Sequence, residues 1–147
     1  MLNRWDEAHA AACESDLELR AYSSRLIGEE PRLVLHGGGN TSVKSKHTDR
    51  FGVTHDAIWV KASGYDLGKM WVEGFTGLKL APLLQLARLP QLSDADMVNE
   101  VNCARLDSGA ANPSIEAIVH AVIPHRFVDH AHPDAVLTIS NSAPELF

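Results

Sequence analysis

Asp129-His130-Ala131-His132 carries the sharpest chemical signal in the sequence. On an extended strand, residues i and i+2 point the same way, so both imidazoles can reach one ion. Zinc suits such ligands at ~2.0–2.1 Å, and catalytic zinc sites keep one position open for substrate or water. Four of the eight histidines fall between His120 and His132, so the clustering is local. Glu116 precedes His130 at the start of an expected helix, and His120 follows it by one turn. Residues at that spacing share a helix face, here the face away from the expected apolar stripe. The functional reading makes Glu116 a metal-adjacent base with His120 beside it. The plain reading is a solvent-facing pair worth a few tenths of a kcal/mol. His36, His47 and His55 sit in or beside turns and read as surface histidines.

Three small polar corners accompany these residues. Gly37-Gly38-Gly39-Asn40-Thr41-Ser42 follows an apolar run and offers backbone N–H groups beside amide and hydroxyl side chains, which suits a phosphate. It is no dinucleotide fingerprint, because position 42 is Ser and no helix is expected after it, and no P-loop Gly-Lys-Ser/Thr is present. A tight hairpin is its plain reading. Lys61-Ala62-Ser63-Gly64 is a second corner at the end of a strand. Ser114, at a helix entry where an anion is favoured, is the third. Together they would form a phosphate cup if the fold brings them to one place.

The elements that must position these groups are expected as follows. Apolar positions from Trp5 to Leu26 recur at helical spacing and predict one amphipathic helix over 3–28, with Asn3 at its start. Strands are expected at Arg32–His36, Asn40–Lys46 and Ala57–Lys61, with Trp71–Leu78 continuing the sheet. Pro82–Arg88 reads as a short helix or turn. Ser93 caps a helix running to about Leu106. Asn112–Glu116 opens a further helix with an apolar stripe of Ile115, Ile118, Val119 and Val122. Phe127–Ser140 reads as strand throughout. Strands early, helices in the middle and a late strand give an α/β layered domain with a mixed sheet. A core-like strand so near the end of the sequence is expected to need further neighbours, which suggests the N-terminal part of a longer protein.

Composition narrows the function classes. The 147 residues suit one domain, and 45% apolar with 22% charged residues is ordinary for a globular chain. The net charge of −6, from 13 Lys+Arg against 19 Asp+Glu, argues against nucleic acid, whose binders neutralise phosphates. No apolar run reaches the ~18 residues of a membrane span, and Met1–Glu7 lacks the form of a secretory signal. With only Cys13 and Cys103, a reduced, cytoplasmic protein is expected.

Taken in order, these motifs resemble the class II aldolase/adducin family over about residues 10–140. Gly38-Gly39-Asn40-Thr41-Ser42-Val43-Lys44 resembles its Gly-Asn-x-Ser phosphate loop, and Lys61-Ala62-Ser63-Gly64 its second phosphate corner. Asn112-Pro113-Ser114-Ile115-Glu116 resembles the segment bearing a phosphate-binding Ser and the acid/base Glu. His130-Ala131-His132 is similar to the paired zinc ligands. The wording of both Leu35–Lys44 and Val128–Leu137 looks closest to bifunctional rhamnulose-1-phosphate aldolase/alcohol dehydrogenases, in which an aldolase domain precedes a short-chain dehydrogenase domain.

The resemblance implies residues 1–147 as the N-terminal part of a three-layer αβα sandwich with a mixed, largely antiparallel central sheet. It implies a zinc-dependent retro-aldol cleavage of a ketose 1-phosphate, with Zn2+ on His130 and His132 and proton transfer by Glu116. Gly39, Asn40, Ser63, Gly64 and Ser114 would hold the substrate phosphate. The family's third zinc histidine follows the His-x-His pair, whereas no histidine follows His132 here, and His120 does not match that position. A homo-oligomer, tetrameric in the family, is implied, with a small sugar phosphate as partner and neither nucleic acid nor membrane. Two other family readings stand beside the lyase: a non-catalytic adducin-like scaffold and a pentulose-phosphate 4-epimerase. The paired histidines favour the lyase over the scaffold.

Overall fold

A computed structural model describes residues 2–142; Met1 and positions 143–147 of the 1–147 span lie outside the described residues. Two helices open the chain, α1 (Glu7–Ala12) and α2 (Asp16–Gly28). Four strands follow in two groups: β1 (Asn40–Thr48), β2 (Thr54–Lys61) and β3 (Phe75–Lys79) before the central helices, and β4 (Phe127–His130) after them. The helices between are α3 (Leu80–Leu86), α4 (Asp94–Cys103) and α5 (Ala117–Val122), and α6 (Asp134–Ser140) comes last. The strand order is β3-β2-β1-β4, with every pairing antiparallel among the described residues.

Alternation along the strands divides the core into two layers. Ile58, Val60 and Leu78 face α3–α5 and pack with Leu83, Val101, Ala104, Ala117 and Ala121. On the other face Phe75 joins Ala21 of α2 together with Val34, Leu67 and Met70. Helices thus cover both faces of the sheet, giving the αβα sandwich that the resemblance implies. The β1–β2 hairpin is closed by Asp49, whose carboxylate accepts the N–H groups of Phe51 and Val53 and lies 2.9 Å from His55 Nε2.

Several local expectations are corrected. The single helix over 3–28 is two, broken at Cys13–Ser15. Asp6 caps the first through the His9 N–H and Ser15 caps the second through the Glu18 N–H, while Asn3 accepts the Trp5 N–H outside both. Arg32–His36 forms turns rather than a strand. The run from Trp71 begins as a single 3-10 turn at Val72–Gly74 and becomes strand only at Phe75. The largest correction lies after Phe127. The strand stops at His130, and Pro133 with Asp134 in the first turn starts α6, where Val136, Leu137 and Ile139 are exposed rather than central in a sheet. The stripe expected on α5 is rotated as well: of its four residues only Ile118 packs against the core, Ile115, Val119 and Val122 face solvent, and Ala117, His120 and Ala121 face the sheet.

Candidate active site

Strand register brings the distant motifs to one end of the sheet. Asn40, the first residue of β1, pairs with His130, the last of β4. Beyond the end of β2, Ala62 bridges Pro113, and the Ser63 N–H donates to Asn112 O at 2.9 Å. The Gly39–Asn40, Ser63–Gly64 and Ser114 corners therefore gather at the same sheet end as His130 and His132. Gly39 is buried at φ +68°, and a Cβ there would stand 2.6 Å from Val34 Cγ1 and 2.8 Å from His130 O. Only glycine lets the turn lie this close to β4. Gly64 also has positive φ, +82°, but faces open space.

The histidine pair converges, although only His130 lies on the strand and the i, i+2 argument does not account for His132. His130 Nε2 and His132 Nε2 lie 2.9 Å apart, close enough to ligate one ion at ~2.0–2.1 Å each. His132 lies just past the strand and is held by its own N–H, which donates to Leu33 O at 2.8 Å. The opposite nitrogen of His130, Nδ1, lies 3.3 Å from Glu116 Oε2. A carboxylate on the outer nitrogen orients a ligating imidazole and raises its basicity. Glu116 is held in turn by its N–H, which donates to Ser114 Oγ at 3.2 Å, with the Asn40 side chain beside its carboxylate. Burial pushes the Glu116 carboxyl up, but the Asn40 hydrogen bond and the neighbouring His130 outweigh it and leave the pKa below the ordinary value.

His120 does not behave as a solvent-facing partner of Glu116, contrary to the plain reading. It is 1% exposed, its Nδ1 lies 2.8 Å from Ser42 Oγ, and its buried Nε2 has no hydrogen-bond partner among the described residues. Burial drives its pKa down to about 4, against the opposing pull of Glu116. Glu116, His120 and His130 each offer a ligand atom, all within 4.8 Å of one another. These nitrogen and carboxylate donors fit a divalent cation, and His132, outside this three-residue group, meets it through His130. A cavity of about 340 Å3 lined by Glu116, Val119, His120, Ile123, Val128 and His130 opens beside the cluster.

Other residues gain roles that sequence spacing left unread. Ser42 belongs to the glycine-loop motif, yet its hydroxyl serves His120 on a helix far along the chain. Lys44 donates to three carbonyl oxygens, those of His120, Ile123 and His125, and so ties down the C-terminal end of α5. Only the paired register of strand and helix could have revealed either contact. His47 packs edge-on against Trp59 and His55 faces Asp49, so both belong to the hairpin and not to the site. His36 stands at φ +49° in the loop leading to the glycines.

Comparison with known proteins agrees with this arrangement. A family model described as the Class II Aldolase and Adducin N-terminal domain matches residues 18–146. "Uncharacterized oxidoreductase YuxG" of Bacillus subtilis (strain 168) is 40% identical over 135 residues, covering 92% of this chain and 20% of that protein. The chain therefore spans about a fifth of the length of this curated relative. The solved structure of the N-terminal class II aldolase domain of a conserved protein from Thermoplasma acidophilum superposes with a TM-score of 0.90 at 40% identity, covering 99% of this chain and 67% of that one. With the paired histidines, the glutamate and the three small polar corners gathered at one sheet end, the chain belongs to the class II aldolase and adducin N-terminal domain family.

Proposed function

We propose that this chain carries the metal and phosphate groups of a zinc-dependent class II aldolase that cleaves a ketose 1-phosphate, such as rhamnulose 1-phosphate, to dihydroxyacetone phosphate and an aldehyde. The observation that supports it most is the convergence of His130 and His132 on one point, with Glu116 behind His130 and three phosphate-capable corners alongside. His130 and His132 would hold zinc, which when bound supplies Lewis-acid polarisation of the substrate's keto and hydroxyl oxygens. The chain's own residues do the rest. Gly39, Asn40, Ser63, Gly64 and Ser114 receive the phosphate and fix the sugar's reacting carbons against the histidine pair. In the retro-aldol direction the C4 hydroxyl gives its proton to the Glu116 carboxylate, the C3–C4 bond breaks as C4 becomes the aldehyde carbonyl, and the electron pair released at C3 delocalises toward the C2 carbonyl as an enediolate. Glu116 returns a proton to C3. Its Asn40 and His130 contacts favour the carboxylate form that accepts protons at neutral pH.

A non-catalytic scaffold has no use for paired imidazoles converging on one point beside a carboxylate, so the lyase is favoured over it. The oxidoreductase in the relative's name belongs to a protein of which this chain spans a fifth, and the glycine turn here lacks the dinucleotide fingerprint. The free cysteines Cys13 and Cys103 support a reduced, cytoplasmic setting, and the exposed apolar residues of α5 and α6 support a homo-oligomer. Glu116→Gln tests the mechanism. The variant is expected to keep fold and metal while cleavage of the ketose 1-phosphate, followed by release of dihydroxyacetone phosphate, falls by about 10²–10⁴-fold. Near-normal cleavage by the variant would remove Glu116 from the chemistry, and an epimerised pentulose phosphate as product would replace the lyase reading with the epimerase.

A further inference from the structure

A second cavity, of about 500 Å3, lies between the N-terminal segment, α2 and β4. Asp129, which lines it, and His130 are neighbours on β4, so their side chains point to opposite faces of the sheet. The cavity is therefore on the α2 face, away from the histidine cluster. Trp5, Leu26, Ile27 and Leu33 give it apolar walls. The N-terminal wall is tied down: the Asp6 N–H donates to Tyr22 Oη at 2.9 Å, and Trp5 packs on the Tyr22 ring with 5.4 Å between ring centres. None of these residues takes part in the cleavage proposed above.

The chemistry of the cavity is concentrated in Arg20. Its side chain is 2% exposed, ion-pairs through Nη2 with Asp129 Oδ1 at 2.7 Å, and lies over Phe127 at 5.7 Å from the ring centre. Asp129 is itself 54% exposed and engages one nitrogen of the guanidinium, while the buried Nε has no hydrogen-bond partner among the described residues. Burial outweighs Asp129 and pulls the Arg20 pKa down, so one half-hydrated carboxylate leaves the guanidinium under-compensated. A buried charged donor without an acceptor is costly. The other charged groups of the lining are spent elsewhere. Glu30 holds Arg32 with both oxygens, at 2.7 and 2.9 Å, and Arg4 faces Glu29 at 3.5 Å. Among the described residues of the lining, no carboxylate is left free to repel an anion. We propose that this cavity is a second small-molecule site, taking an amphipathic monocarboxylate whose oxygen fills the open donor position of Arg20 and whose apolar body lies against Trp5, Leu26 and Ile27. The volume falls within the ~300–1,000 Å3 of small-molecule sites, which combine apolar walls with a few placed polar groups. A carboxylate is favoured over a neutral carbonyl because the donor is charged and desolvated. Inorganic phosphate has no apolar body to cover these walls.

Hydrocinnamate is the probe, titrated calorimetrically into the wild-type chain beside hydrocinnamyl alcohol, its uncharged counterpart. The expected result is saturable binding of the acid, weakened by about tenfold or more both in the alcohol and in Arg20→Gln, and unaffected by excess inorganic phosphate. Ser23 lines the cavity from α2, and Ser23→Phe fills the space while leaving the Arg20–Asp129 pair in place. That variant is expected to block binding, and it carries the test if Arg20→Gln does not fold. No binding of the acid by the wild type at millimolar concentration would overturn the proposal. So would equal binding of acid and alcohol, undiminished binding by a folded Arg20→Gln, or binding that survives Ser23→Phe. Displacement of the acid by phosphate would put it at the three polar corners, and would overturn this site while leaving the aldolase reading untouched.

Discussion

His120 sits 1% exposed against Ser42, with a pKa near 4 where an unfolded chain would give 6.5. Between those two values the unfolded state binds the extra proton, so stability falls as pH drops from 6.5 toward 4 and no further contribution is lost below it. The full difference amounts to about 3 kcal/mol. His120→Gln removes this component while preserving a polar group opposite Ser42. Melting temperatures between pH 7 and pH 4 are expected to fall less steeply for the variant than for the wild type, whatever the constant offset between them. Parallel curves would show that His120 is not held neutral by burial. The sequence placed His120 and Glu116 on one face but put that face in water, because Ile115, Val119 and Val122 looked like the core stripe. In the fold the small residues Ala117 and Ala121 pack against the sheet, and the imidazole fits between them and Ser42. Periodicity reports where apolar residues recur, not which side a short helix turns to its sheet.

At the scale of the element, the glycine turn is the part most tightly constrained by its neighbours. Gly39→Ala would meet a φ of +68° together with contacts of 2.6 Å to Val34 Cγ1 and 2.8 Å to His130 O. The strained backbone alone costs about 1–3 kcal/mol, and because His130 O cannot retreat without moving β4, phosphate and metal binding are expected to weaken together. Chemical denaturation with both titrations checks this; unchanged stability would mean that the turn has room it does not show. Much of the sheet was legible in advance. β1 and β2 read as strands from short β-prone runs closed by turns, and the Ser93 cap placed α4 correctly. The run 127–140 misled because Val136, Leu137, Thr138 and Ile139 are strand formers by composition, while Pro133 and Asp134 give the helix its start. The meeting of the three corners was implied by the family resemblance alone and by no local pattern. It depends on Asn40 pairing with His130 and Ala62 with Pro113, contacts between segments that no local pattern links.

For the molecule as a whole, both outer strands of the sheet, β3 and β4, lie at its edges among the described residues, and apolar side chains of α5 and α6 face outward. Val119 and Val122 on α5, with Ile115 just before it, form one such stripe on the segment that also holds Glu116 and His120. The homo-oligomer proposed above would cover these surfaces, so sedimentation across a dilution series is expected to show concentration-dependent association, and a monomer at every concentration would contradict it. No helix of the described residues is long and apolar enough to cross a membrane. Aldol chemistry at this site depends on the histidine pair, because the polar corners without a metal would bind a sugar phosphate but not polarise it. The most direct measurement is therefore a zinc titration of the metal-free wild-type chain beside its His130→Ala/His132→Ala variant. Stoichiometric binding by the wild type that is lost in the variant is the predicted result; equal binding by both, or none by the wild type, would contradict it.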